Sequence, residues 1–209
     1  VGSLFLGADP AALETGALTE GVFGAMRRAG GAIGVGRYDE ARGIYLSPAF
    51  APGRATDERR TVHLGIDLFV EPGTTVRAPL PGVVHVLANN ALPQDYGPVV
   101  ILRHETANDP PFFTLYGHLT EDTLHGLAVG QTVEAGQAIA RVGAPPTNGD
   151  WPPHLHFQVI LDLLGRDADF PGVALPSQRA LWTSLSPDPN LLMGIPADRF
   201  PAEEEAPAE

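Results

Sequence analysis

From Val76 to Val142 the apolar runs of this chain are short, and each stops at glycine, proline or a polar turn. Val76-Arg77-Ala78 ends at Pro79-Leu80-Pro81-Gly82, Val83-Val84-His85-Val86-Leu87 comes next, and Asn89-Asn90 opens a loop through Gln94-Asp95-Tyr96-Gly97. Proline removes a backbone donor and glycine adds conformational freedom, so this spacing suits turns between short strands and leaves no room for long helices. Pro98 to His104 is apolar on both sides and reads as a buried strand. Asn108-Asp109-Pro110-Pro111 then turns the chain into Phe112 to Leu119, and Gln131-Thr132-Val133 and Ala138 to Val142 are two further strand segments closed by glycine. Gly 24 and Pro 21 among 209 residues extend the pattern to the whole chain. The expected fold is mostly β, an antiparallel β-sandwich or open barrel with short helical and loop-rich extensions.

Two segments outside that meander carry the chemistry. In Trp151-Pro152-Pro153-His154-Leu155-His156-Phe157-Gln158-Val159 two histidines flank one apolar residue. Strand side chains alternate, so both imidazoles share a face while Leu155 and Phe157 enter the core. The prolines fit only at the start of such a strand. In Thr61 to Val70 the same alternation puts His63, Gly65 and Asp67 on one face and Leu64, Ile66 and Leu68 on the other. Gly65 is expected to leave space for a divalent metal between His63 and Asp67. Together His63, Asp67 and one of His154 or His156 supply two nitrogens and one oxygen. That is the open three-ligand set of a catalytic zinc, with a fourth position left for water. A structural zinc would call for four protein ligands, usually thiolates, and the chain has no cysteine.

His63-x-x-x-Asp67, then Tyr116-Gly117-His118-Leu119, then His154-x-His156 resembles the LytM/lysostaphin-type zinc metallopeptidases, peptidase family M23, over roughly residues 60 to 160. The resemblance implies a LytM-type β fold, Zn2+ bound by His63, Asp67 and His156, and catalysis by His118 and His154. It also implies a peptide substrate, in peptidoglycan stems or cross-bridges, and a cell-envelope or secreted location. Imidazole titrates near neutral pH, so His118 and His154 suit acid–base work where no His-Glu-x-x-His helix supplies a glutamate. His85, His104 and His125 stand in no motif and read as ordinary histidines; Tyr116, Phe112 and Phe113 read as packing residues.

Composition narrows the partners. Lys+Arg 13 against Asp+Glu 25 gives a net charge of −12, which argues against nucleic acid and anionic membrane surfaces. No apolar run is long enough to span a bilayer. Segments 76–84 and 129–140 resemble the hairpins of biotinyl/lipoyl carriers, but a carrier needs a lysine to acylate, and every basic residue here is arginine.

Three regions are expected: a partly helical extension over 1–37, the metallopeptidase domain over 38–165, and a loop-rich extension over 166–209 ending in a disordered acidic tail. Helix starts are expected at Asp9-Pro10 and over Thr19 to Arg28, a strand at Ile44-Tyr45-Leu46, and a short helix over Ser177 to Leu185. Val1 reads as the start of a fragment, and no secretory signal is visible. The stretch Trp182 to Asn190 resembles the segment on the C-terminal side of the M23 module in bacterial fusions of a phosphotransferase-like domain, an M23 module and a class III aminotransferase. That would put the domain in the cytoplasm, as a metal-retaining binding or latent module in a multidomain enzyme.

Overall fold

A computed structural model describes residues 14–45, 47–51 and 58–200. Among these described residues, eleven strands and four α-helices succeed one another in chain order: α1 (Thr15–Ala29), β1 (Gly34–Gly36), β2 (Val62–His63), β3 (Ile66–Phe69), β4 (Thr75–Arg77), β5 (Gly82–Asn90), β6 (Gly97–His104), β7 (Phe112–Gly117), α2 (Thr123–Gly126), β8 (Thr132–Val133), β9 (Ala138–Arg141), β10 (His154–Ile160), β11 (Val173–Ala174), α3 (Arg179–Leu185) and α4 (Asn190–Met193). Seven form one antiparallel sheet in the order β1-β3-β10-β7-β6-β5-β8, and β11-β2 and β4-β9 form two small sheets. The mostly β, antiparallel expectation holds, and among the described residues the main sheet stays open, without closing into a barrel.

Both faces of the sheet centre are buried, which is why β6 is apolar from Pro98 to Leu102. Val100 and Leu102 join one core with Tyr116, Leu155, Phe157 and the β4-β9 pair through Val76 and Ile139. Val99 and Ile101 join a second core with Leu115, Ile160, Leu163 and Phe170. Each such side chain contributes about 1.5–3 kcal/mol by leaving water. In β5 the register shifts between Val84 and Val86, across from Leu102 and Ile101. The extra residue, His85, turns outward, and the bulge sends Val84 and Val86 to opposite cores.

The helix expected over Thr19 to Arg28 begins earlier, at Thr15, and buries Leu18, Val22 and Phe23 against Phe69 of β3. Gly30 closes it at φ 66°, with its N–H on Arg27 O and that of Gly31 on Met26 O. The β-strand expected at Ile44-Tyr45-Leu46 does not form: Ile44 and Tyr45 lie in irregular chain, and Leu46 falls outside the described residues. Ala41 instead bridges to Val62. The Asp9-Pro10 helix start and the acidic tail also lie outside the described residues. Strand β5 runs through Asn89 and Asn90, where a loop was expected to open. The short helix near the C-terminal end forms as α3, preceded by a 3-10 turn at Pro176–Gln178. Among the described residues no helix is long and apolar enough to cross a membrane.

The His63 segment departs from a single strand. It is two short strands broken at Leu64-Gly65, because β2 pairs with β11 while β3 pairs with β1 and β10. Leu64 N–H donates to Gly172 O at 2.9 Å, and Leu64 packs with Val62 and Ala174 rather than sharing a face with Leu68.

Candidate metal centre

Strand β10 lies between β3 and β7, and the register places His156 opposite Asp67 on one side and Gly117 on the other. The side chains of His154, His156 and Gln158 therefore emerge on the face opposite Leu155 and Phe157. His63 reaches the same point from the end of β2. The result is a tight group: His63 Nε2 lies 3.0 Å from His156 Nδ1 and 3.2 Å from Asp67 Oδ1, and His156 Nδ1 lies 3.0 Å from that same oxygen.

The remaining ring nitrogens fix the tautomers. His63 Nδ1–H donates to Arg37 O at 2.8 Å, and His156 Nε2–H donates to Gln158 Oε1 at 3.0 Å. Gln158 is held in turn, its Nε2 donating to Pro171 O at 3.1 Å and to Ser186 Oγ at 2.9 Å. His63 Nε2 and His156 Nδ1 thus present lone pairs to a carboxylate oxygen, with no proton of their own between them. Three acceptors in mutual contact fit a shared cation. Their spacing is close to the roughly 3.3 Å that tetrahedral bonds of about 2.0–2.1 Å would set. His63, Asp67 and His156 are the group able to hold a metal ion among the described residues.

Gly65 serves a different neighbour from the one expected. A Cβ there would lie 2.6 Å from His156 Cε1 and 2.7 Å from Phe157 O, so the missing side chain makes room for the His156 ring rather than for the metal itself.

His118 and His154 stand beside this group without joining it. Their ring centroids are 4.2 Å apart. His154 Nδ1–H donates to Pro152 O at 2.6 Å, its ring stacks on Phe69, and its Nε2 lies 3.7 Å from Asp67 Oδ1. His118 sits just after β7 at φ 62°, a left-handed conformation that costs a residue other than glycine about 1–2 kcal/mol. Three bonds hold it there: His118 N–H to Tyr96 O at 2.9 Å, Gly143 N–H to His118 O at 2.8 Å, and His118 Nδ1–H to Asn148 O at 2.8 Å. Both histidines therefore keep Nε2 free. A cleft of about 350 Å³ opens over all five residues, walled by Tyr45, Phe50 and Trp151.

Residues 61–167 match the family model described as Peptidase family M23. The chain belongs to peptidase family M23. An uncharacterized metalloprotease of Haemophilus influenzae is 33% identical over 153 residues, covering 72% of this chain and 30% of that protein. An L-Ala–D-Glu endopeptidase of Bacillus subtilis is 33% identical over 108 residues, covering 49% of this chain and 31% of that protein. The M23 chain thus spans less than a third of the length of these two curated relatives. Among solved structures, the catalytic domain of the antimicrobial peptidase lysostaphin from Staphylococcus simulans is 24% identical, with a TM-score of 0.41 over 69% of this chain and 88% of that one.

The electrostatics of the M23 site arise from burial. All five side chains are at most 6% exposed. Burial first, then the charge of Arg42, pushes His63 down to about 4. Burial, with His154 and His156 adding to it, holds His118 well below the ordinary histidine value, and burial lowers His154 against the pull of Asp67. These imidazoles are neutral near pH 7. Burial opposes the charge on Asp67, yet its neighbours hold its carboxyl well below the usual range. His63 is the largest of these influences, followed by Arg42, whose Nη1 donates to Asp67 Oδ2 at 2.6 Å.

Sequence reasoning missed the residues around this M23 core: Arg42, Tyr96, Asn148, Gln158 and Ser186. Tyr96 packs its ring between His118 and His156, at 5.6 and 5.3 Å, and its hydroxyl donates to Phe170 O at 3.0 Å. Gly117, inside the Tyr-Gly-His motif, lacks a Cβ because one would lie 2.5 Å from the Tyr96 ring. That motif glycine was the available signal that an aromatic ring comes close. Tyr116 lies in the opposite core, as its packing reading requires.

Proposed function

We propose that this M23 domain is a zinc-dependent endopeptidase, with His63, Asp67 and His156 holding the ion and His118 and His154 acting on substrate and water. The carrying observation is the set of three unprotonated donor atoms in mutual contact beside two neutral imidazoles with free Nε2 atoms. Zinc, when bound, supplies a Lewis acid that acidifies water and polarises a scissile carbonyl. The chain's own residues do the rest. A neutral His118 or His154 can take a proton from water at Nε2, and the imidazolium so formed can donate that proton in a hydrogen bond to the oxygen of the attacked carbonyl or pass it to the leaving amine. Their 4.2 Å separation lets one peptide unit touch both. The carbonyl acceptors at Asn148 and Pro152 keep each ring in the tautomer with Nε2 as base.

Peptidoglycan stem or cross-bridge peptides are the proposed substrates. The family and the Bacillus subtilis relative, whose name specifies a bond to a D-amino acid, support that class. Digestion of purified peptidoglycan and a panel of short glycine- and D-amino-acid-containing peptides, with and without chelator, tests it. Chelator-sensitive cleavage that disappears in His118→Ala is expected. A protein that carries one zinc and cuts neither substrate class would overturn the peptidase reading.

A further inference from the structure

We infer that Arg42 is a positioning residue for the metal, fixing Asp67 so that a single carboxylate oxygen faces the ion; this rests on the reading of His63, Asp67 and His156 as its ligands. Arg42 lies 19 positions outside the N-terminal limit of the segment that matches the family, and it is 4% exposed. Its Nη1 donates to Asp67 Oδ2 at 2.6 Å and to Tyr45 Oη at 3.0 Å, and its Nε donates to Glu40 Oε2 at 3.1 Å. Nη2 has no acceptor; it lies over Gly36, the register partner of Asp67, where a Cβ would stand 2.5 Å away.

A buried guanidinium with one nitrogen unsatisfied is poor construction for stability alone, since desolvation of the ion offsets most of its attraction to the carboxylates. What the arrangement does secure is geometry. The charge-assisted bond occupies Oδ2 and rotates the carboxylate so that Oδ1 alone points at His63 Nε2 and His156 Nδ1. A free carboxylate can present both oxygens to a metal, raising the coordination number and filling the place that water needs. Arg42 prevents this, and its charge balances Asp67, so the ion's own charge is not spent on the carboxylate.

The test uses cobalt(II) and zinc on the full chain, with Arg42→Met as the principal variant. Wild type is expected to bind one ion, lost in His156→Ala, and to give the strong visible d–d band of four-coordinate cobalt. Arg42→Met is expected to bind zinc about 10- to 100-fold more weakly and to give a weaker cobalt band, as Asp67 swings to present both oxygens. Unchanged affinity and an unchanged band in a folded Arg42→Met protein would overturn the role of Arg42 while leaving the metal site intact. Wild type that binds no ion would overturn the ligand reading as well. Should the methionine variant not fold, Arg42→Lys takes its place. One ammonium cannot reproduce a planar fork that reaches Asp67, Tyr45 and Glu40 together, so wild-type affinity and spectrum in that variant overturn the inference too.

Discussion

Asp67 and His156 are register partners across β3 and β10, and Asp67 Oδ1 sits 3.0 Å from His156 Nδ1. The hydrogen-bond ladder of the sheet itself brings two donors of the metal group together, and only His63 has to be delivered by another route. Removing a donor and removing a neighbouring imidazole should therefore have separable effects. His156→Ala is expected to lose stoichiometric metal, whereas His118→Ala keeps it and loses at least about 100-fold in turnover. Metal content by elemental analysis, set beside peptide hydrolysis, checks both. Equal metal loss in the two variants would contradict the division of roles.

Gly65→Ala tests the close approach of the His156 ring. The added methyl meets His156 at 2.6 Å and the Phe157 carbonyl at 2.7 Å, and neither can retreat without disturbing β10. A loss of about 1–3 kcal/mol in stability together with weakened metal binding is expected, read by denaturant unfolding and by competition with a chromophoric chelator. Stability that falls while metal affinity stays intact would show that the glycine serves the fold alone.

Tyr96 is a packing residue whose hydroxyl is already committed to Phe170 O. Tyr96→Phe should retain turnover within a few-fold and cost about 1 kcal/mol. Tyr96→Ala, which empties the space beside Gly117 and Gly172, should cost about 3–5 kcal/mol. Thermal unfolding and initial rates decide it, and a large drop in turnover for the phenylalanine variant would give the hydroxyl a direct part in the reaction.

The metal-free protein should lose stability on acidification. His63 in the folded state titrates at about 4, below the 6.5 of an exposed histidine, so the unfolded chain binds the proton more readily. Its contribution is complete above about pH 6.5 and is lost as the pH falls toward 4. His63 alone accounts for on the order of 3 kcal/mol, and His118 and His154 act in the same direction. Urea unfolding of chelator-treated protein at several pH values across that window measures the slope; a flat profile would mean that these histidines are not buried in solution.

Much of the fold and site was legible because it rests on local pattern. His154-x-His156 alternates as a strand must, the glycine and proline turns mark the meander, and His63, Asp67, His118, His154 and His156 all meet at one cleft. What was hidden depends on pairing between distant segments. Nothing local shows that Thr61 to Val70 divides between two sheets, because the division is imposed by β11 on one half and β10 on the other. The bulge at His85 is likewise set by the partner strand. Nothing in the local sequence singles out Arg42, since its role appears only when the chain returns with Asp67, 25 residues later.

The support of the three donors reaches well past the family signature. His63 is oriented by the Arg37 carbonyl, Asp67 by Arg42, and His156 through Gln158 by Pro171 and Ser186. Ser186 is itself tied back across the molecule, its carbonyl accepting from the Tyr38 hydroxyl at 2.7 Å. Except for Gln158, each of these supports falls outside residues 61–167. A piece trimmed to that signature would keep every ligand and lose what aims them, so the smallest unit of this chain that can manage a metal ion begins before Arg37 and ends after Ser186.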